Sequence, residues 1–151
     1  MKKLLLTLLA LTMCISMCAC GNTKNDTDEE SGSVQESSAA DPKEEAKLKL
    51  SDAYDMIADG PGASDYATLA YDKMSLVIDT DPNDGYFKYE SNATAAVMAV
   101  NVYLELPSSI SEKMSSTRAL DGMQSQNCGT FTVSWTYHPD NGLRVIYEVN
   151  P

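Results

Sequence analysis

The feature that most constrains the fold is a strict alternation of apolar and polar side chains near the carboxyl end. In residues 131–137 every second side chain is aromatic or β-branched and apolar, with Thr or Ser between, and residues 143–149 alternate similarly. The sequence Pro139-Asp140-Asn141-Gly142 between them is typical of a turn. Because successive strand side chains point to opposite faces, the pattern predicts a β-hairpin with one buried face. That face holds Phe131, Val133, Trp135, Tyr137, Leu143, Val145, Tyr147 and Val149.

A long amphipathic helix is predicted upstream, over residues 42–59. Asp41 can cap its amino terminus, Pro42 suits the first helical position, and Gly60 provides a stop. Apolar residues recur with the helical period and form one face toward a core. They are Ala46, Leu50, Ala53, Tyr54 and Ile57.

Two further helices are predicted between this helix and the hairpin. Ser91 can cap a nearly all-apolar helix over residues 91–105, which Pro107 prevents from continuing. We expect that helix to be buried at the centre of the domain. Ser109 opens a capping-box pattern for the next helix, which ends near Gly122.

The segment between the first two long helices gives a mixed signal. Residues 64–73 fit a short helix with some strand character, and residues 74–80 have the composition of a strand. A turn at residues 81–85 and a short strand over residues 86–89 complete a predicted hairpin. The predicted fold class is therefore α+β, with amphipathic helices packed on a small antiparallel sheet that ends in a C-terminal β-hairpin.

The first nineteen residues have the layout of a secretory signal peptide. Lys2 and Lys3 precede an apolar stretch that is shorter than the roughly 20 residues a membrane-spanning helix needs. The stretch ends with a small residue directly before a cysteine, in the sequence Met17-Cys18-Ala19-Cys20-Gly21-Asn22.

This sequence resembles the lipobox of bacterial lipoproteins. The resemblance implies cleavage after Ala19 and lipid attachment to the thiol of Cys20, followed by acylation of the new amino terminus. It departs from the family pattern at Met17, where the family prefers Leu. Cys18 is the rival acceptor, but large Met17 precedes it. Two or three acyl chains hold a protein stably on a bilayer, so we expect a lipid anchor on the extracytoplasmic face of the cell membrane.

Composition limits the partners of the mature chain. Loss of Lys2 and Lys3 with the signal changes the formal charge from −11 to −13. Such an acidic surface repels phosphate backbones, which argues against nucleic-acid binding. With Cys20 lipidated, Cys128 is the only remaining cysteine, so no internal disulfide can form. We expect Cys128 to be a small buried hydrophobic residue.

Three segments follow from these observations. Residues 1–19 form the signal peptide, and residues 20–42 carry the lipidated cysteine and a polar, acidic tether predicted to be disordered. Residues 43–151 form a single small α+β domain, which is long enough for one modest core.

A twelve-residue stretch that begins at Asp79 resembles the calcium loop of an EF-hand. Its glycine is one place too late for the sharp turn, and the predicted flanking elements are strands rather than helices. We expect an acidic turn here and keep calcium binding as an alternative. The calcium ligands would be Asp79, Asp81, Asn83 and Glu90.

No catalytic arrangement stands out in the sequence. His138 is the only histidine, it lies beside a turn proline, and nearby Ser134 has no nucleophile elbow around it. Paired carboxylates for glycoside chemistry stay open, because no pair is singled out among the many acids. The sequence thus favours a protein that is not an enzyme.

Three hypotheses for function remain. The first is a non-catalytic binding or interaction module of the cell envelope, with an envelope protein as partner and with Trp135 and Tyr137 as candidate binding residues. The second is a small envelope hydrolase or an enzyme accessory, and the third is a calcium-stabilised extracellular domain. Within the first class, the order of helix, apolar segment and terminal hairpin resembles the headpiece of type IV pilin-like proteins in architecture only.

Overall fold

Helices packed on a five-stranded antiparallel sheet make up the part of the chain that the computed structural model describes, residues 41–83 and 85–151. These residues all belong to one compact unit. The fold is α+β, as the sequence predicts. In chain order the elements are α1 (Pro42–Ala58), α2 (Ala63–Tyr66), β1 (Ala67–Leu69), β2 (Ser75–Asp79), α3 (Glu90–Tyr103), α4 (Ser108–Ser116), a 3₁₀ turn (Ala119–Asp121), β3 (Gln124–Cys128), β4 (Phe131–His138) and β5 (Gly142–Val149).

Helix α1 follows the sequence prediction closely. The carboxylate of Asp41 accepts a hydrogen bond from the backbone N–H of Lys43 at 2.9 Å and caps the helix. Because the helix begins at Pro42, it includes the last residue that the sequence assigned to the tether. The predicted apolar face is buried at Ala46, Leu50, Ala53 and Ile57.

The sheet has the strand order β1-β2-β5-β4-β3, with every pair antiparallel. The predicted C-terminal hairpin is present as β4 and β5, in a register that places Trp135 opposite Val145 and Val133 opposite Tyr147. In the pairing of β5 with β2, Leu76 lies opposite Tyr147, so the same buried face continues onto β2. This face forms the core with the helices, and its buried strand residues are Leu76, Ile78, Phe131, Val133, Trp135, Val145, Tyr147 and Val149.

The predicted hairpin between residues 74–80 and 86–89 is wrong in its second strand. Residues 86–89 form no strand, and β2 pairs instead with β1 on one side and with β5 on the other. Both edges of β2 are therefore occupied, and no edge is left for a third strand. Of the predicted helix over residues 64–73, only residues 64–66 are helical, as the end of α2, and β1 follows at once.

The structure differs from the sequence prediction in two elements that precede the C-terminal hairpin. Strand β3 has no counterpart in the sequence prediction, because its side chains, Gln124-Ser125-Gln126-Asn127-Cys128, are mostly polar and lack apolar alternation. It forms because the backbone of β4 offers an edge for pairing. Helix α4 ends at Ser116, well before Gly122, and a 3₁₀ turn follows it.

Helix α3 is less buried than its apolar composition predicts. Ala93, Val97 and Val100 lie in the core, whereas Met98 and Val102 are exposed. The helix packs one face on the sheet and α1, so only residues at helical spacing on that face are covered. Its exposed side borders the cleft described next.

Candidate functional site

A cleft of about 450 Å³ opens between α3, α4 and the turn end of the β4–β5 hairpin. Helix α3 contributes most of one wall, and α4 follows it after a short connection that ends at Pro107. A proline fits just before a helix because it supplies no backbone N–H and resists continuation of the preceding helix. The volume falls in the range of roughly 300–1,000 Å³ that is typical of small-molecule sites.

The inner end of the cleft rests on a buried polar network. Asn101 is only 5% exposed, and its amide donates to Ser111 Oγ at 3.1 Å and to Met114 Sδ at 3.6 Å. The phenol of Tyr147 in β5 donates to Asn101 Oδ1 at 2.8 Å. A buried amide without partners would be costly, so these bonds fix α3, α4 and the sheet relative to one another.

Burial also sets the protonation of this network. The Tyr147 hydroxyl lies in the core, and burial raises the pKa of its phenol well above the ordinary value. Tyr147 is therefore a neutral hydrogen-bond donor across the physiological range. The hydroxyl proton of Ser111 has no acceptor in the described part of the chain, so it is available to an occupant of the cleft.

The wall and rim of the cleft are mainly apolar. Val97 and Leu143 line the wall, and Met98 and Tyr137 stand at the opening with 59% and 38% of their surface exposed. A thioether and a phenol ring at the rim present polarisable, adaptable surface to an apolar group.

Among the residues that the structure describes, Glu90 is the one charged side chain that lines the cleft. It is the first residue of α3, where the helix amino terminus stabilises a negative charge. Within residues 41–83 and 85–151, its carboxylate makes no salt bridge and accepts no hydrogen bond. The cleft thus combines an apolar body with one unpaired anionic group.

Hydrogen bonds from neighbouring elements hold the hairpin side of the cleft. The backbone N–H of Leu143 donates to Thr80 Oγ1 at 2.8 Å, and the indole N–H of Trp135 donates to Thr117 Oγ1 at 2.8 Å. A Cβ on Gly142 would lie 2.5 Å from Thr80 Oγ1, so this close approach requires glycine. These hydrogen bonds therefore hold the lining residues on the hairpin side of the cleft in place.

The two candidate binding aromatics occupy different places. Tyr137 lines the cleft, as stated above. Trp135 is 3% exposed in the core and does not line the cleft, although its indole N–H donates to the lining residue Thr117. The difference arises because the core face of β4 is buried as far as Trp135 and becomes exposed toward the hairpin turn. Tyr137 lies in this exposed end of the strand.

The four calcium-loop candidates do not converge. Glu90 belongs to the cleft, and Asn83 lies in a turn whose carbonyl accepts from the Tyr86 N–H. Asp79 Oδ1 accepts from the Asp81 N–H at 3.2 Å. Among the residues that the structure describes, no group of three or more His, Cys, Asp or Glu could hold a metal ion. Calcium binding stays a prediction.

The carboxylates of Asp79 and Asp81 organise the loop after β2. Asp81 Oδ2 accepts from the Gly85 N–H at 2.6 Å, while its Oδ1 is buried and has no hydrogen-bond partner among the described residues. Burial is the main influence on Asp79 and raises the pKa of its carboxyl, with the Asp81 N–H and Arg144 acting in the opposite direction.

The remaining reactive side chains form no catalytic arrangement. His138 Nδ1 accepts from the Asp140 N–H at 3.2 Å, and Ser134 donates to Ser125 Oγ at 3.0 Å, so the histidine and the serine serve separate contacts. Cys128 is half-buried against the core, and burial raises the pKa of its thiol, which lowers its reactivity at neutral pH.

Sequence reasoning did not identify the cleft residues Thr94, Met98, Asn101 and Ser111. One signal was present: Asn101 interrupts an otherwise apolar run on the core side of α3. A polar residue at a buried helical position needs partners, and here Ser111 and Tyr147 supply them.

The lipidation site Cys20, the cleavage site Ala19, the signal peptide and the tether up to residue 40 lie outside the described residues. The part of the chain that is described contains no helix long and apolar enough to cross a membrane. No known protein family, curated protein or solved structure matches this chain.

Proposed function

We propose that this protein is a lipid-anchored, non-catalytic binding module of the bacterial cell envelope, and that the α3–α4 cleft is its binding site. The anchor rests on the lipobox-like sequence at Cys20. The binding role rests on one observation, a mainly apolar cleft with a fixed polar floor and a single unpaired carboxylate. Small-molecule sites combine these properties: an apolar lining with few, well-placed polar groups.

The structure offers matched positions for a test. Met98 at the cleft rim and Met123 away from it are 59% and 58% exposed. A photoreactive amino acid at either position reports what lies nearby in intact cells, whether small molecule or protein, as an added mass on the full-length lipoprotein. We expect an adduct from position 98 that position 123 does not give.

Two further variants decide whether the adduct reports the cleft. Thr94→Phe fills the cleft, whereas Ala95→Phe places the same side chain one residue on, at an exposed position that does not line it. The adduct at position 98 should disappear with Thr94→Phe and persist with Ala95→Phe. Equal labelling from positions 98 and 123, or none at position 98, would overturn the proposal.

The anchor is tested separately. Cys20→Ser should remove the acyl mass and leave the signal peptide uncleaved, because in lipoproteins lipid transfer to the cysteine precedes cleavage. Cys18→Ser is the matched control and should leave both the acyl mass and the cleavage of the signal peptide in place. The reverse result would assign the anchor to Cys18.

A further inference from the structure

Charge distinguishes the cleft from an ordinary apolar groove. Residues 41–151 contain eight Lys and Arg against seventeen Asp and Glu, a formal charge of −9. Within residues 41–83 and 85–151, no Lys or Arg lines the cleft, and the one charged side chain in its lining is Glu90. A concave site in such a negative field concentrates cations and repels anions.

Five of the eight basic side chains in residues 41–151 have partners elsewhere. Lys47, Lys49, Arg118 and Arg144 form salt bridges, and the Nζ of Lys88 lies 4.5 Å from the centroid of the Tyr89 ring. None of these ion pairs includes Glu90. An anionic occupant would find no basic partner among the described lining residues and would be repelled by Glu90.

The uncharged lining adds two further requirements. Tyr137 offers an aromatic ring near the opening, and an aromatic ring attracts an organic cation through its negative face. Val97, Met98 and Leu143 present apolar surface, which an apolar part of the occupant would cover. A hydrated inorganic cation satisfies neither requirement, since it has no apolar body to bury.

From these features we infer that the cleft binds a small organic ammonium, that is, a protonated amine carried on an apolar body. The ammonium lies at Glu90 and Tyr137, and the apolar body lies along Met98 and Leu143. This inference rests on the proposed function, since it names the ligand class of the same cleft.

Three probes that share a fluorinated phenethyl body separate charge from shape: the phenethylamine, the phenethyl alcohol and the 3-phenylpropionate. Binding to the full-length lipoprotein in lipid nanodiscs is followed by ligand-observed fluorine NMR, with empty nanodiscs as the blank. We expect the amine to bind about tenfold more tightly than the alcohol, from one carboxylate and one aromatic contact, and the carboxylate probe to bind more weakly than the alcohol. Added salt should reduce the preference.

Matched variants locate the charge recognition. Glu90→Gln should bring the amine and the alcohol to within about twofold of each other while the alcohol binds as before. Glu148→Gln removes the same charge at an exposed position away from the cleft and should keep the preference. Thr94→Phe should abolish binding of all three probes, and Ala95→Phe should leave it unchanged.

The outcomes separate the two proposals. If the alcohol binds wild type as tightly as the amine, or if Glu90→Gln keeps the preference, the ammonium inference is overturned and the cleft stands as a neutral site. If no probe binds although position 98 gives its cleft-dependent adduct, the inference again fails and the proposed function stands. Loss of both signals overturns both.

Discussion

The β4–β5 hairpin and the segment between residues 63 and 89 both bury aromatic side chains, but by different means. In the hairpin, Trp135 and Tyr147 are buried because every second residue of a paired strand faces the helices. In the segment, Phe87 is buried between Tyr66 and Tyr89, with edge-to-face ring contacts of 6.2 and 5.8 Å between centroids. No regular backbone pairing places Phe87.

The position of a buried aromatic side chain therefore has a different origin in each region. A hairpin side chain is positioned by residues two places away and by its opposite partner, which a periodic sequence specifies. The ring of Tyr89 is positioned by the backbone at Gly62, where an added Cβ would lie 2.1 Å from the ring. That contact joins residues far apart in sequence and has no periodic signature.

The largest expected effect is on the hairpin. Trp135→Ala removes a large buried side chain and its hydrogen bond to Thr117, so the free energy of unfolding should fall by about 3–5 kcal/mol. Chemical denaturation followed by circular dichroism measures it, since the single tryptophan is lost. Thr136→Ala, on the other face, should change stability by no more than about 0.5 kcal/mol. Equal effects would refute the assignment of the buried face.

The next effect tests the Gly62–Tyr89 contact, with Gly129 as a reference glycine of the same backbone conformation. Gly62 and Gly129 have the same φ of 76°, but a Cβ on Gly62 meets the Tyr89 ring, whereas a Cβ on Gly129 meets no atom within 4 Å. Gly129→Ala should cost about 1–2 kcal/mol of stability from the left-handed backbone alone. Gly62→Ala should cost about 1–3 kcal/mol more, from overpacking. Equal denaturation midpoints would mean that the Tyr89 contact carries no energy.

A smaller effect is expected at the polar floor of the cleft. Tyr147→Phe leaves Asn101 Oδ1 without its donor, which should cost about 1–3 kcal/mol at neutral pH. Because burial raises the pKa of Tyr147 in the folded state, its contribution is complete below pH of about 10 and is lost as pH rises further. Stability curves of wild type and variant should converge in alkaline solution. A pH-independent difference would contradict this origin.

The smallest effect belongs to the loop after β2. Burial raises the pKa of Asp79, so the folded state disfavours its charge, and stability falls as pH rises through that pKa. Asp79→Asn should raise the melting temperature slightly at pH 7, and the gain should vanish below pH of about 4.

Added calcium tests the calcium hypothesis. If calcium raises the melting temperature of wild type and Asp79→Asn removes that increase, the hypothesis is supported, whereas melting curves that coincide with and without calcium would end it.

Local signals predicted the elements whose residues repeat with a helical or strand period. Helix α1, strand β2 and the hairpin fall in this group, as does the α+β class. Strand β3 was missed because it carries almost no apolar residues and depends on β4 for its existence. Residues 86–89 were assigned to a strand because Tyr86, Phe87 and Tyr89 favour strands, yet both edges of β2, their predicted partner, are paired with β1 and β5.

The candidate site was less predictable than the fold. Tyr137 was named from its position on the hairpin, but its cleft partners come from α3, α4 and the end of β2, at sequence distances that no local pattern records. Asn101, a polar residue on a buried helical face, indicated that hydrogen-bond partners were needed. The sequence did not show that Ser111 and Tyr147 are those partners. Glu90 was named as a candidate calcium ligand, and no sequence signal indicated that it also lines the cleft.

The sequence by itself determined which residues face the core in α1 and in the hairpin, because periodic burial is a property of neighbouring residues. It also determined the excess of negative charge and the lipobox-like sequence at Cys20. Only the tertiary structure decided which strands pair with β2, which polar groups satisfy Asn101, and that Glu90 and Tyr137 line one cleft. Those relations depend on the distance between residues far apart in the chain, and that distance is set when the whole core packs at once.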